Sequence, residues 1–356
     1  MAVKEKAGSL MKNIIKPKND KLDYGFKVLS NGLKVLLISD PETNKSSAAL
    51  GVNVGYLADK KNEQGLAHFC EHLLFKGSKK YPDENDYRAF IANHEGFSNA
   101  TTYTDKTIYY FEISNDAFEG ALDRFAQFFI CPIFNESCIE REIKAIDNEF
   151  SNLLNNDAKR FFSVKYNEIN KESPFNNFDA GNSKTLSLPD IRERLLVFYK
   201  KYYTSEIMNL CVYSNKTLDE SLKLVESLFT LVPKIENFQM PRYDEVKPYD
   251  ENNLRFFYKI VSIKDINEIR LDWYLPYCDD YYSKPFQYLS SVLGHQGPNT
   301  IYSSLSKDNL IYGISARSEE MSKSYTNFSI NVVLSKKGID NYKEVILRIL
   351  KYIKVI

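Results

Sequence analysis

The sequence feature that most restricts the fold is a pair of apolar runs, residues 26–29 and 33–38, joined across Asn31-Gly32. An Asn-Gly pair between two apolar runs is the strongest short-range signal for a β-hairpin. A further strand is predicted over residues 48–56, where apolar side chains alternate with small or polar ones. Strands that follow one another in the chain are therefore expected to be adjacent, without a helix between them.

The remainder of residues 24–232 mixes helical and strand patterns. Helical periodicity covers residues 64–76, 83–94, 116–129 and about 135–169, the last with an interruption expected near Asn155-Asn156. Alternating or short apolar runs predict strands over residues 97–103, 107–114 and 208–213. Thr217 and Glu220 form the capping-box signature of one more helix. Because several strands are adjacent in sequence, the pattern favours an α+β domain over a doubly wound parallel sheet.

The chain is long enough for two domains, at about 100–200 residues per domain. Residues 1–22 are expected to be a mobile basic arm, residues 23–240 a first domain, and the proline-punctuated residues 241–253 a linker. In residues 254–356 the order strand, helix, strand repeats, which predicts a second domain of the same kind. The sequence stops inside an apolar helical stretch, so we expect this second domain to be truncated; a frayed terminus is the alternative.

Charge and composition exclude several classes of partner. Lys and Arg together number 47, as do Asp and Glu, so the formal net charge is zero. This charge is not typical of a basic nucleic-acid-binding protein or of a protein with an acidic tail. No apolar stretch has the roughly 18 residues of a membrane span, so we expect no membrane and no nucleic acid as partners. Five irregularly spaced cysteines and an N-terminus without an apolar signal core predict free thiols and a cytoplasmic location.

Two of the four histidines fall in the stretch His68-Phe69-Cys70-Glu71-His72. Side chains three and four residues apart share one face of a helix, so His68, Glu71 and His72 project together. Two imidazoles at this spacing can bind one zinc ion, and the carboxylate between them can act as general base for a zinc-bound water. The alternative is a surface helix with a charged, titrating face.

A catalytic zinc site needs a third protein ligand and one open position. Glu142 and Glu149 lie seven residues apart in the predicted long helix, hence on one face, and either could bind the metal. Their spacing alone leaves the choice open. A solvated helix face with no metal is the alternative for both.

The H-x-x-E-H stretch is the inverted form of a zinc-peptidase signature. Together with its surroundings, the sequence resembles the insulysin type of the pitrilysin family of zinc metallopeptidases. The resemblance extends from about residue 24 to the end of the chain. The matching stretches are residues 35–40, 45–50, 65–75, 79–84, 98–100, 119–129, 131–132, 136–138, 141–142, 145, 147, 149, 258–261, 263–265, 294–295 and 297–298.

The resemblance implies a role for each residue of the motif. The family's zinc ligands correspond to His68, His72 and Glu149, which would bind one Zn²⁺ per chain, and its general base corresponds to Glu71. The family's fold would be present as well: two-layer domains, each a mixed, largely antiparallel sheet packed by helices, in tandem. Residues 23–240 would then be the catalytic domain.

Three further residues gain a role from the resemblance alone. Glu142 matches a family glutamate that orients the metal ligands without binding the metal. Asn99 and Ala100 match an edge strand that pairs with the backbone of the substrate, a mode of binding that tolerates many peptide sequences.

We therefore expect a zinc metalloendopeptidase that hydrolyses small peptides. Members of the family contain four related domains in two halves, and this chain corresponds to the first domain and part of the second. The expected partners are peptide substrates, together with a missing C-terminal half or a second copy of the chain. The alternative is a truncated or non-catalytic relative that binds peptides without efficient turnover.

Overall fold

The computed structural model describes residues 10–11, 14–243, 245–249 and 257–356. These residues form two compact units. The first unit runs up to Leu154 and includes Lys171–Arg242, and the second contains Asn155–Asn170 and Tyr243–Ile356.

In the described part of the chain the strands are β1 Asp23–Val28, β2 Lys34–Ser39, β3 Lys45–Val52, β4 Phe97–Thr102, β5 Thr107–Ser114, β6 Met208–Ser214, β7 Glu268–Pro276, β8 Ile311–Glu320 and β9 Tyr325–Leu334. The α-helices are α1 Leu66–Leu74, α2 Asp86–Asn93, α3 Phe118–Ile130, α4 Glu136–Leu153, α5 Asp157–Asn167, α6 Ser183–Leu186, α7 Ile191–Tyr202, α8 Leu218–Phe229, α9 Pro285–Gly294, α10 Ile301–Lys307, α11 Lys336–Asp340 and α12 Tyr342–Val355. Short 3₁₀ turns lie at Tyr56–Ala58, Asn115–Ala117, Pro174–Asn176 and Ser205–Ile207.

Among the described residues, the first unit is built on a six-stranded sheet in the order β1-β2-β6-β3-β5-β4. Every neighbouring pair is antiparallel except β2 and β6, which run parallel. Alternate residues of β3 and β5 are buried, and helix α3 packs its aromatic side chains on that face, with Phe125 against Phe111. This mixed, largely antiparallel sheet confirms the predicted α+β class.

The Asn31-Gly32 hairpin forms as predicted, and its turn also anchors a helix. Gly32 has a φ of +88°, the left-handed region that glycine adopts without strain. The buried Asn31 side chain donates hydrogen bonds to the carbonyl oxygens of Phe229 and Val232, at 2.8 and 3.0 Å. A helix leaves its last carbonyls without partners of its own, so Asn31 satisfies acceptors at and just beyond the end of α8.

The second unit repeats the sheet-and-helix pattern in tandem. Its described residues contain a three-stranded antiparallel sheet in the order β7-β9-β8. Helices α9, α10 and α12 cover one face of this sheet, with a core that includes Leu293, Ile301, Leu305, Ile330, Val332, Val345 and Ile349. Helix α5 contacts β7 through polar and aromatic side chains: Lys165 pairs with Asp272 at 3.7 Å, and the Arg270 guanidinium lies over the Phe161 ring.

The interruption expected near Asn155-Asn156 in the long helix over residues 135–169 is present. The Asn156 side chain accepts hydrogen bonds from the backbone N–H groups of Ala158 and Lys159 and caps the start of α5. Helix α5 belongs to the second unit although residues 171–242 return to the first. The expected boundaries at 23–240, 241–253 and 254–356 therefore differ from the compact units in the placement of Asn155–Asn170. That these boundaries separate independent domains stays a prediction.

Two other expectations touch residues outside the described ranges. Of the arm over residues 1–22, Met11 is held on β1, because Met11 and Phe26 exchange two backbone hydrogen bonds of 2.8 Å. Of the strand expected over residues 254–261, the first three residues lie outside the described ranges, and 257–261 form no strand. Residues 244 and 250–253 of the expected linker also lie outside them.

None of the helices that the structure describes combines the length and hydropathy that a bilayer crossing requires.

We expect Asn31→Ala to lower the free energy of unfolding of the first unit by about 1–3 kcal/mol, because two buried carbonyls lose their donor. Urea denaturation followed by far-UV circular dichroism measures this, since the one tryptophan, Trp273, belongs to the second unit. Ser30→Ala, at the exposed neighbouring turn position, is the control and should change stability little. Equal stabilities of the two variants would contradict the anchoring role of Asn31.

Candidate metal centre

Helix α1 carries the H-x-x-E-H stretch, and a residue outside the helix holds its first turn. The helix begins after Gly65, which has no side chain to cap it. The buried Asp59 carboxylate instead accepts hydrogen bonds from the backbone N–H groups of Gly65 and Ala67, both at 2.9 Å. These are donors that a helix start leaves unpartnered. Asp59 thereby fixes the turn on which His68 lies.

The structure brings together His68, His72 and Glu149, the three residues expected to bind the metal. One donor atom from each lies within 4.8 Å of the other two. The Glu149 Oε2 atom is 3.9 Å from His68 Nε2 and 3.7 Å from His72 Nε2. Donors around a tetrahedral zinc ion lie about 3.3 Å apart, so these two distances exceed that spacing by roughly half an ångström. Because the Glu149 side chain is 52% exposed, the group is open to solvent, as a site with a free coordination position requires.

The second ring nitrogen of each histidine has a partner that determines which nitrogen carries the proton. His68 Nδ1 lies 2.7 Å from the carbonyl oxygen of Ala180, and His72 Nδ1 lies 3.2 Å from Oε2 of Glu142. Both partners can only accept, so both Nδ1 atoms donate. The lone pairs of the two Nε2 atoms are therefore free, and both face the Glu149 carboxylate.

Glu142 lies beside the group of three rather than within it. Its Oε2 accepts from His72, and its Oε1 pairs with Lys76 Nζ at 2.7 Å. Burial alone would raise the pKa of Glu142, but the hydrogen bond from His72 and the charge of Lys76 outweigh burial and lower the pKa to about 2. The carboxylate is thus a charged acceptor that orients His72. Lys76 was not among the predicted site residues, although its position four residues after His72 was a usable signal.

Glu71 is buried close to the same group. Its Oε2 accepts a hydrogen bond of 2.6 Å from the Thr102 hydroxyl. Burial raises the pKa of Glu71, the neighbouring His68 and His72 lower it, and Glu149 raises it. The net direction is upward, so Glu71 has a higher affinity for a proton than an exposed glutamate. Thr102 is a second residue that sequence reasoning missed, because nothing in the sequence connects β4 to α1.

Asn99 and Ala100 lie in β4, the last strand of the sheet. Within the described residues, β4 pairs only with β5, where Asn99 is opposite Tyr110 and Ala100 opposite Tyr109. Its outer backbone edge can therefore accept a further strand. Since Thr102 of the same strand contacts Glu71, this edge lies next to the metal-binding helix.

The remaining conspicuous residues have structural contacts. His94 ends α2, with Nδ1 2.8 Å from the Phe90 carbonyl oxygen, and His295 belongs to the second unit. Cys70, within the motif, is fully buried, and burial raises the pKa of its thiol, which disfavours the reactive thiolate.

Two family models match the chain. Residues 34–173 match the model described as insulinase, peptidase family M16, and residues 190–356 match the model of the peptidase M16 inactive domain. The two matches follow one another along the chain. The second match begins inside the first compact unit, at residue 190, and continues through the second unit.

Curated proteins from several organisms are similar over nearly the whole chain. Insulin-degrading enzyme of Bos taurus is 42% identical over 349 residues, and the A-factor-processing enzyme of Saccharomyces cerevisiae is 36% identical over 351 residues. These matches cover 96% and 97% of this chain but 34% of each relative. The chain thus spans about a third of the length of the curated relatives it matches.

Two solved protease structures are also similar to this chain. The crystal structure of pitrilysin superposes with a TM-score of 0.90 at 31% sequence identity, over 98% of this chain and 38% of that one. A protease from Helicobacter pylori superposes with a TM-score of 0.72 at 17% identity, over 91% of this chain and 78% of that one, which shows a shared fold.

We expect Glu142→Gln to weaken zinc binding by about 10- to 100-fold, because His72 loses its charged acceptor and Lys76 its partner. Competition with a chromophoric chelator measures the affinity. Glu140→Gln, an exposed position on the same helix, removes the same charge without touching His72 and should bind zinc like the original chain. If both variants bind zinc equally, Glu142 does not orient the site.

Proposed function

The chain belongs to the insulinase family, peptidase family M16, and from this we propose that it is a zinc metalloendopeptidase that hydrolyses small peptides. The observation that supports the proposal most strongly is the convergence of His68 Nε2, His72 Nε2 and the Glu149 carboxylate, with the buried Glu71 beside them. The relatives' peptidase names add to it, but they describe proteins about three times as long.

The residues present fit a zinc ion in kind and in charge. Two imidazole nitrogens and one carboxylate are a ligand set of catalytic zinc sites. Glu71, Glu142 and Glu149 bring three carboxylates together with the single ammonium group of Lys76, and two positive charges would balance them. When bound, zinc would supply a Lewis acid and lower the pKa of a water in the open position to about 7.

Glu71 is proposed to move the proton. It would accept a proton at its carboxylate as the oxygen of the attacking water bonds to the scissile carbonyl carbon. It would then donate that proton to the leaving amine nitrogen as the C–N bond breaks. Burial favours this role because it raises the pKa of Glu71 above that of an exposed glutamate, and Thr102 holds one carboxylate oxygen in place.

The substrate is proposed to bind as a strand along β4. Asn99 and Ala100 would pair with its backbone, which selects an extended conformation more than a particular sequence. The contact between Thr102 and Glu71 supports this arrangement, because it joins the strand that would hold the peptide to the proposed base.

A second candidate is a chain that binds zinc and peptides without efficient turnover. The observation that favours it is that the chain spans about a third of its curated relatives. Loss of preorganised oxyanion donors supplied by the remaining part would reduce the rate by about 100- to 1,000-fold. A cytoplasmic location and association with a C-terminal half or a second copy also remain proposals.

We expect Glu71→Gln to retain one zinc ion per chain while cleavage of a quenched fluorescent peptide falls by about 100- to 10,000-fold, because the proton acceptor is lost. Metal analysis and the peptide assay, with and without chelator, measure the two properties. Glu140→Gln should change neither. Cleavage by Glu71→Gln at the original rate would refute the assignment of the base.

The same two measurements on the original chain separate the candidates. Zinc with chelator-sensitive cleavage supports the peptidase, and zinc with peptide binding but no cleavage supports the second candidate. Absence of zinc refutes both. Adding the C-terminal part of insulin-degrading enzyme in trans should raise the rate if missing donors limit it.

A further inference from the structure

One loop contacts both helices that carry the metal-binding side chains. Residues 177–183, here called the bridging loop, lie in the first unit between the 3₁₀ turn Pro174–Asn176 and the start of α6. His68 and His72 lie on α1 and Glu149 on α4, so the two helices must hold a fixed relation for the three donors to converge.

The contact with α1 depends on two glycines packed against each other. A Cβ on Gly65 would lie 2.3 Å from the Gly181 Cα, and a Cβ on Gly181 would lie 3.0 Å from the Gly65 Cα. Both residues also have positive φ, +88° and +70°. Glycine at both positions therefore permits a backbone approach that any side chain would widen. The residue before Gly181 is Ala180, whose carbonyl accepts the His68 Nδ1–H.

The contact with α4 is made next to Glu149. Asp147 accepts hydrogen bonds from the backbone N–H and the hydroxyl of Ser183, both at 2.8 Å. Phe150 packs edge to face on Phe178, with ring centroids 5.1 Å apart. The bridging loop is thus attached to α4 on both sides of the proposed ligand.

The start of the loop is attached as well. The Asn177 side chain donates to the carbonyl oxygen of Asp59 at 2.8 Å, and the Phe178 N–H donates to the side chain of Gln64 at 3.3 Å. The loop is therefore held on the segment that precedes α1, on α1 itself and on α4. This leaves Ala180 little freedom to follow a displaced imidazole.

We propose that Gly181 is a positioning residue for the metal site: its packing against Gly65 holds the Ala180 carbonyl where it accepts the His68 Nδ1–H and leaves Nε2 free to bind the metal. The inference rests on the proposed zinc function. A neutral imidazole carries its proton on either nitrogen, and the partner of one nitrogen decides which. A carbonyl that moves away releases the proton to Nε2, and that protonated nitrogen cannot bind zinc.

The test compares two substitutions at Gly181 in the full chain. Gly181→Ala adds a Cβ in a strained left-handed backbone, whereas Gly181→Asn adds the Cβ to a residue type that tolerates this backbone. Gly32→Ala is the matched control, because Gly32 also has a positive φ, of +88°, and its added Cβ would lie 3.0 Å from a side-chain atom of Glu206, which is not part of the metal group. Thermal unfolding is recorded for all three.

Two quantities are measured. Long-range ¹H–¹⁵N spectra of the metal-free protein identify the protonated nitrogen of His68, and chelator competition gives the zinc affinity. We expect both Gly181 variants to show His68 protonated partly on Nε2 and to bind zinc about 10- to 100-fold more weakly than the original chain. Gly32→Ala should keep Nδ1 protonated and the affinity unchanged, even where it lowers the unfolding temperature.

The proposal is overturned if both Gly181 variants keep Nδ1 protonated and bind zinc as tightly as the original chain. It is equally overturned if Gly32→Ala weakens zinc binding as much as they do, because general destabilisation would then be the cause. The protonation state is measured without metal or substrate. A chain that cleaves no peptide would therefore refute the peptidase function while the role of Gly181 is still decided.

Discussion

A neutral imidazole has one ring proton. The contacts around α1 in the first unit hold that proton on Nδ1 of both His68 and His72. An acceptor on the far side of each ring favours the proton on Nδ1, and so leaves both Nε2 atoms available at one point. The acceptors come from different places: a backbone carbonyl at Ala180 and a side-chain carboxylate at Glu142. Each acceptor is held in place by a further contact. The Ala180 carbonyl is held by the packing of Gly181 against Gly65, and the Glu142 carboxylate by its ion pair with Lys76.

The sheet connects this arrangement to a surface where a peptide could lie. The topology leaves β4 at one edge, and the Thr102 hydroxyl on that strand contacts Glu71 on the metal-binding helix. The opposite edge, β1, is partly covered by Met11. Among the described residues, the β1 edge is paired at Phe26, whereas β4, the edge beside Glu71, has β5 as its one partner strand.

Local chemistry was predictable from the sequence, and long-range packing was not. The hairpin at Asn31-Gly32, the capping box at Thr217 and the shared face of His68, Glu71 and His72 depend on neighbours in the chain. The choice between Glu142 and Glu149 does not, because a seven-residue spacing puts both on one face and only packing against α1 separates them. The Ala180 carbonyl was beyond sequence reasoning without a structure, since every residue has one. The packing of helix α5 was also not predictable from local sequence, because it depends on contacts with Arg270 and Asp272, roughly a hundred residues later in the chain.

The excursion of α5 has a consequence for how the chain folds during synthesis. The backbone leaves the first unit after Leu154, returns at Lys171 and leaves again after Arg242. The strand that covers Phe161 and Phe162, β7, is made roughly 100 residues after them, or about 5–20 s later at ordinary translation rates. The first unit can close around its sheet once β6 has been made, and from then until β7 is made, α5 lacks the strand it packs on. The nascent chain therefore exposes Phe161 and Phe162, in an internal segment of the first unit, until Arg270 of β7 is made.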